Sequence, residues 1–502
     1  MARIQHGTQI VRGARVAAAG QRRAEPGDIL IRDGVILEMG PPGLAVPEGA
    51  SVVDAAGMLV HPGLVNAHTH GHGGLGRAQG DLWTLELLLA AGPWLGGRRV
   101  AADKKLATQI GAAEMALKGC TAAYDLSAEI PIPSVEGMDS IAEAYAEIGM
   151  RAVIAPMVAD MSVYDAIPGL MDALPAELQR EAAGLRPAEG TACLAALGEI
   201  LRGWRWEGQD IRVALAPTIP HHCTGSFICG CAKLARQHGV RLHTHVGESK
   251  VQAITGITRY GRSLTAQLDA WGVLGPDFTA AHAVWLDDDD FRLMADRGAS
   301  IAHNPGSNMR LGNGLAAFRR MRDCGVTVGL GTDATTCSDN LNMYEVMRVA
   351  SYTARAQSPD TRQWASTEEI YQAATQGSAD VLGIADIGAL RPGAKADMVF
   401  LDLGAINWIP HNATINQLVH VEDGTSVRHV MVAGRMIVQD GRLTGIDLGR
   451  LAREAEAARA RLEAVNAQTR AMCEKLAVVV NQFCPAMAAQ PYRARRYLCD
   501  PA

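Results

Sequence analysis

Leu64-Val65-Asn66-Ala67-His68-Thr69-His70 is an apolar run with β-branched members that ends in two histidines one residue apart. Read as a strand, it sends side chains at i and i+2 out of the same face, so His68 and His70 can point at one metal ion. Pro62-Gly63 punctuates the chain just before it, and Gly71-His72-Gly73-Gly74-Leu75-Gly76 lets the backbone turn sharply just after it. Two histidines in a strand are more often structural than ligating, so a metal reading needs further ligands from elsewhere.

Working outward, the chain alternates short apolar strands with helix-length segments, the pattern of a parallel α/β architecture. Eight strands are expected at 64–70, 121–126, 151–156, 212–219, 240–247, 278–284, 300–305 and 327–333. Eight is the number that closes a (β/α)8 TIM-like barrel. The helices are readable too: residues 104–118 carry apolar side chains at helical spacing and stop at Gly119, a natural C′ residue.

The two ends of the chain read differently. Short strands at 8–11, 28–31, 35–39 and 51–54 are too few to close a core, and similar strands return at 397–401, 427–432 and 435–438. Together they are expected to form one small β-sandwich domain from both chain ends. The expected units are 1–60 and 395–446 for that β domain, 61–394 for the barrel and 447–502 for a helical C-terminal extension. Residues 451–476, rich in Ala, Glu and Arg, read as a long amphipathic helix. Its apolar stripe should pack on the barrel exterior or against a second subunit, so a homodimer or higher homo-oligomer is expected. The last fifteen residues carry no clear pattern.

Composition narrows the function classes. At 502 residues the chain exceeds what one core supports, and 48% hydrophobic with 20% charged residues fits a globular protein. A net charge of −6, with no basic tract, argues against a nucleic-acid partner. The ten cysteines include no C-x-x-C pair, and Cys229-Gly230-Cys231 is too close for a zinc knuckle, so reduced thiols in a cytoplasmic protein are expected. No apolar leader is seen at the start, and no run of about 18 uncharged apolar residues suggests a membrane span.

On a barrel, chemistry gathers where strands end at the C-terminal face. His68 and His70 end the first strand, His243 and His245 lie in the fifth, His282 in the sixth, and Asp333 ends the eighth. Imidazoles with a carboxylate suit one divalent metal, zinc first, with iron, cobalt or manganese as alternatives. Two other motifs point elsewhere. Gly71 to Gly76 formally matches GxGxxG but follows an HxH strand, with no acidic residue at the Rossmann position. Asp287-Asp288-Asp289-Asp290 reads as the acidic first turn of a helix.

The motifs Pro62-Gly63-Leu64-Val65-Asn66-Ala67-His68-Thr69-His70, His245-Val246-Gly247-Glu248, His282, Asn304-Pro305-Gly306-Ser307-Asn308 and Gly331-Thr332-Asp333 resemble the amidohydrolase superfamily. They are most similar to its cytosine deaminase, S-adenosylhomocysteine deaminase and triazine hydrolase branch, over residues 1–445. The resemblance implies one metal held by His68, His70, His245 and Asp333. It further implies that Glu248 carries a proton from the water to a ring nitrogen or leaving group and that His282 orients the water. Asp333 would be base as well as ligand. No lysine ends the fourth strand, which disfavours the two-metal form.

The implied reaction is hydrolysis of an sp² C–N carbon in a small nitrogen heterocycle by a metal-bound hydroxide, releasing ammonia. The alternatives are displacement of an alkylamine, halide or sulfur group, opening of a cyclic amide or urea, and, remotely, a non-catalytic metal-binding barrel. His243 reads as structural; His72, His221, His222 and His303 are placed outside the ligand shell. The substrate pocket is expected from the loops at 71–94, 157–174, 220–226 and 306–313. In the fourth of the strands the order Pro217-Thr218-Ile219-Pro220-His221-His222 departs from the family, where one His soon follows Pro.

Overall fold

The computed structural model describes residues 7–17 and 22–497. The readings of residues 1–6 as the approach to a strand and of 498–502 as unstructured fall outside them. Strands Leu64–Thr69, Cys120–Ala128 and Arg151–Val158 run parallel, followed by a fourth broken into Ile211–Val213 and Ala216–Pro217. Leu242–Val246, Phe278–His282, Ser300–His303 and Thr327–Leu330 form a second parallel run. Parallel bridges Leu215–Leu242 and Thr69–Asp333 join the two runs at both seams. Backbone bonds from His243 N to Leu215 O (2.9 Å) and from Asp333 N to His68 O (2.9 Å) reinforce the closure. The expected eight-stranded barrel is therefore present.

Small side chains make that closure possible. Val65, Ala67, Ala122, Ala155, Ala214, Ala216 and Ala302 pack with Tyr124 inside the barrel, so the lumen is a core and not a channel. At Gly331 a β-carbon would stand 2.4 Å from Asn304 Oδ1 and 2.8 Å from His68 O. Only glycine lets the eighth strand come this close to the first, and this approach brings Asp333 beside the histidine pair.

The strands from the two chain ends meet in one nine-stranded sheet. A strand missed in the sequence, Met58–Pro62, stitches it together, pairing parallel with Thr8–Val16 and antiparallel with Met398–Asp402. It hid because it ends in proline and runs through Gly63 into the first barrel strand without a polar turn. Val11, Ile29, Ile31, Val60, Phe400 and Met431 form the sheet's own core. The helix read at 104–118 spans Ala101–Leu117, with Gly119 at φ +82°. The four aspartates open helix Asp288–Asp296 through a capping box of Asp287 and Asp290.

The C-terminal helix is longer than its sequence pattern, running Leu448–Ala488 from an Asp447 cap and through Pro485. Leu476, Val480, Cys484 and Met487 are buried against Leu87, Ala90, Tyr164, Leu170, Val251 and Ile254. The apolar stripe is thus covered within the chain, at the end of the barrel where the strands finish. Beyond it residues 489–497 are irregular in backbone, as expected, yet they are held in place by side chains described below. Among the described residues no helix is long and apolar enough to cross a membrane.

Candidate metal centre

The HxH strand does what its spacing implies: His68 and His70 leave one face with ring centroids 4.8 Å apart, and both are buried. His70 Nδ1 lies 2.6 Å from the Leu126 carbonyl and His245 Nδ1 lies 2.6 Å from the Thr218 carbonyl. A carbonyl can only accept, so each Nδ1 bears the proton and each Nε2 presents a lone pair. Those two Nε2 atoms face one another at 3.3 Å. Two acceptors so close repel unless a cation lies between them, and this is the separation expected of two ligands about 2.0–2.1 Å from one ion.

Asp333 completes the set. Its Oδ1 is 3.2 Å from His70 Nε2, again acceptor against acceptor, and 3.5 Å from His68 Nε2. The residue sits just past the eighth strand at φ +64°, a conformation that aspartate tolerates better than most side chains. Its Oδ1 also accepts from Ala334 N–H (2.8 Å), and Ser307 Oγ donates to Oδ2 (2.6 Å). Ligand atoms of His68, His70 and His245 lie within 4.8 Å of one another, as do those of His68, His282 and Asp333. The four residues expected as ligands are brought together, and the donor set suits a divalent metal.

Burial and the Asp333 carboxylate compete in setting the charge of the cluster. Burial pulls His68 down to about 3 and His245 well below the ordinary range. Burial also opposes the charge of Asp333, but the adjoining His68 and His70 rings outweigh it and hold the carboxyl well below the usual range. At His70 burial is again the largest single influence, yet Asp333 and the Leu126 carbonyl together lift the imidazole above its ordinary value.

Glu248 and His282 face the same space from the other side. Glu248 Oε2 has no hydrogen-bond partner and lies 3.6 Å from His282 Nε2. Oε1 accepts from Asn313 Nδ2 at 3.3 Å. Burial first, then repulsion from Asp333 and Glu86, pushes the Glu248 carboxyl well above its ordinary range. His282, at φ +70°, pairs its Nδ1 with Asn308 Oδ1 (2.8 Å) and turns Nε2 toward Asp333 Oδ2, 3.7 Å away.

A cavity of about 190 Å³ opens onto these groups. Leu85, Leu88, Leu89 and Leu95 line one wall, and His70, His245, Glu248 and Asp333 its floor. The first loop lines it as expected, but the fourth contributes Thr218 and Ile219 rather than 220–226, and the loop after the eighth strand adds Ala334, Thr336 and Cys337. The 306–313 loop stands behind the reacting groups as their support. His221 and His222 are buried in the turn Pro220–His222, off the cavity. His243 lies beneath His68 (5.0 Å between centroids) against Tyr124, and His303 packs near Phe318.

His72, placed outside the ligand shell, does line the cavity beside His70, accepting Ala128 N–H on Nδ1 (3.2 Å). Arg99, which sequence reading passed over, shares that wall and donates to the His72 and Leu95 carbonyls. Its only signal was a charge following an apolar helix.

A family model described as the amidohydrolase family matches residues 59–437. The 5′-deoxyadenosine deaminase of Methanopyrus kandleri is 32% identical over 392 residues, 78% of this chain and 83% of its own. An adenosine deaminase from Xanthomonas campestris with bound zinc superposes with a TM-score of 0.80 at 25% identity, covering 91% of this chain and 98% of its own. Atrazine chlorohydrolase from Arthrobacter aurescens, complexed with zinc, gives 0.79 at 25% identity over 90% of this chain and all of its own (100%).

Proposed function

The chain belongs to the amidohydrolase family, a hydrolase of carbon–nitrogen bonds other than peptide bonds, and we propose that it deaminates an amino-substituted nitrogen heterocycle about the size of a nucleobase or nucleoside. We assign the metal to His68, His70, His245 and Asp333, and zinc as its identity, as in the zinc-bound relatives. A divalent ion held there supplies acidity to a water and polarises the carbon under attack.

The side chains divide the remaining work. Asp333 accepts the proton of the attacking water at Oδ2, the oxygen turned away from His68 and His70. His282 steadies that water through Nε2. Glu248 carries a proton at Oε2 to the ring nitrogen, takes up the hydroxyl proton left on the attacked carbon and passes it to the amino group, which leaves as ammonia while the carbon keeps the water's oxygen as a carbonyl; the proton held by Asp333 then restores Glu248. The observation that carries this reading is the Glu248 carboxyl: buried, raised above its ordinary range, unpartnered at Oε2 and facing the ligand cluster across the cavity floor. A carboxyl so placed is suited to take up a proton and release it.

Displacement of a chloride is the second reading, favoured by the likeness to atrazine chlorohydrolase. Assembly as a homodimer or higher oligomer is part of the proposal, with Val465 and Val478 exposed at separate points on the long helix. Light scattering tests it, and a monomer would remove it. The activity test is release of ammonia from adenosine, 5′-deoxyadenosine, 8-oxoguanine, cytosine, a 2-aminopterin and melamine, with atrazine and hydantoin as the non-deaminating arms. Turnover confined to the amino-substituted rings is expected; turnover of atrazine or hydantoin alone overturns deamination.

A further inference from the structure

The C-terminal tail lies far along the chain from every reacting group, yet it ends against the loops that hold Glu248. Residues 491–497 cross the barrel rim. Tyr492 and Tyr497 pack edge-on to Trp285, with centroids 6.1 and 5.0 Å from it. Arg493 pairs with Asp287 (2.7 Å) and Asp290 (3.0 Å). Arg496 Nε donates to the Val284 carbonyl at 2.6 Å and Nη2 to that of Leu286 at 2.5 Å, so the guanidinium brackets Trp285 on both sides. The carbonyl of Arg496 accepts from Leu315 N–H (2.8 Å), and Gly314 is pressed so close that a β-carbon there would stand 2.9 Å from it.

Those two anchors converge on one residue. Trp285 Nε1 donates to the Asn313 carbonyl (2.7 Å), and Asn313 N–H donates to the Asn308 carbonyl (2.7 Å). Asn313 Nδ2 is the side-chain donor on Glu248 Oε1 (3.3 Å), and Trp285 N–H donates to the Gly247 carbonyl (2.8 Å), one residue before Glu248. Trp285, Asn313 and Glu248 are all at most 2% exposed. An indole packed edge-on against both tyrosines and hydrogen-bonded to a loop carbonyl fixes that loop in rotation as well as in distance.

We propose that residues 491–497 are a positioning element for the reaction, acting through Trp285 and Asn313 to aim the Glu248 carboxylate. The inference rests on the reading of Glu248 as proton carrier. None of residues 491–497 lines the cavity, and none of their bonds described above reaches a proposed ligand. Its removal should therefore leave metal content and substrate binding in place and disorder only the aim of the proton-carrying group. Misplacing a reacting group by about 1 Å costs on the order of 10²-fold at the upper end.

The test is a double-mutant cycle on the full, metal-loaded chain, assayed with the best-turned-over member of the panel above. One axis is a stop after Gln490, the other Glu248→Gln. Expected is a fall of about 10-fold or more in kcat for the truncated enzyme, with KM within about 2-fold and metal content unchanged, and no further loss when the truncation is added to Glu248→Gln. Trp285→Phe, which keeps the packed ring and deletes the N–H donor, runs through the same cycle and decides the matter if the truncated chain fails to fold. Equal losses in both backgrounds, or no loss in either, overturn the proposal. A crippled Glu248→Gln beside an unaffected truncation refutes this inference alone; undiminished turnover in Glu248→Gln refutes the proton-carrier reading and this inference with it.

Discussion

The two sides of the cavity floor are built on different principles. On the side of the proposed ligands, His68 and His245 stand on barrel strands and His70 follows the first strand by one residue, and His70 and His245 are oriented by main-chain carbonyls of Leu126 and Thr218. On the proton-carrying side, Glu248 follows its strand by two residues and His282 ends its own at positive φ. Both are steadied by carboxamides, Asn313 and Asn308, from one loop. The Leu126 carbonyl belongs to a strand and the Thr218 carbonyl also accepts His245 N–H (2.9 Å), so neither moves without breaking backbone bonds, whereas a side-chain amide can turn. Metal affinity should therefore resist changes at the periphery that proton transfer does not.

The largest effect expected is at the point where the sides meet. Asp333→Asn removes the proposed charged ligand and base together, so kcat should fall by more than about 10⁴-fold and metal content should drop, read by steady-state kinetics and elemental analysis. Full metal content with activity within about 10-fold of wild type would dissolve the comparison. Ser307→Ala strips the Oγ–H donor from Asp333 Oδ2. A loss of about 10–100-fold in metal affinity is expected, measured by competition with a chelator. If kcat falls while affinity stays, Ser307 belongs to the other side.

Asn308→Ala sharpens the contrast from that other side. It frees the His282 ring while leaving every proposed ligand untouched, so kcat should drop by about 10-fold at constant metal stoichiometry. Loss of metal in this variant would show that the two sides are not separable.

The smallest effect concerns a histidine of the barrel's opposite end. His61 is buried between the Pro62 carbonyl and Tyr344 Oη, and burial lowers it from 6.5 to about 4. Between those values the unfolded chain binds the proton and the folded chain does not, so stability falls as pH falls through that window. The slope is about 1.4 kcal/mol per pH unit for one such group. His61→Gln should lose less stability than wild type between pH 7 and 5 in denaturant titrations. Equal losses would mean that the ring is protonated in the folded state.

The ligand side was legible because its signals are short-range and periodic. An HxH pair and eight apolar strands at regular intervals fix both the barrel and the rim on which His68, His70, His245 and Asp333 meet. The resemblance to a known family supplied the ligand assignment that spacing left open. The supports on the other side carry no such period. Asn313, Trp285 and the tail come together only through tertiary packing, and residues 491–497 have neither helical nor strand alternation to betray them. Met58–Pro62 hid in the same way, since a strand ending in proline lacks the usual polar boundary. The displaced loop Thr218 to His222 was read as a departure from the family, but only the fold revealed that Thr218 and not a histidine lines the cavity.

The most direct test sets His68→Ala beside Glu248→Gln, with metal content and kcat measured on the same preparations. Expected is a His68→Ala protein that loses both metal and activity, and a Glu248→Gln protein that keeps its full metal while kcat falls by about 10²–10⁴-fold. A His68→Ala protein with undiminished metal, or a metal-replete Glu248→Gln with near-wild-type turnover, would contradict the division of the site into a ligand side and a proton-carrying side.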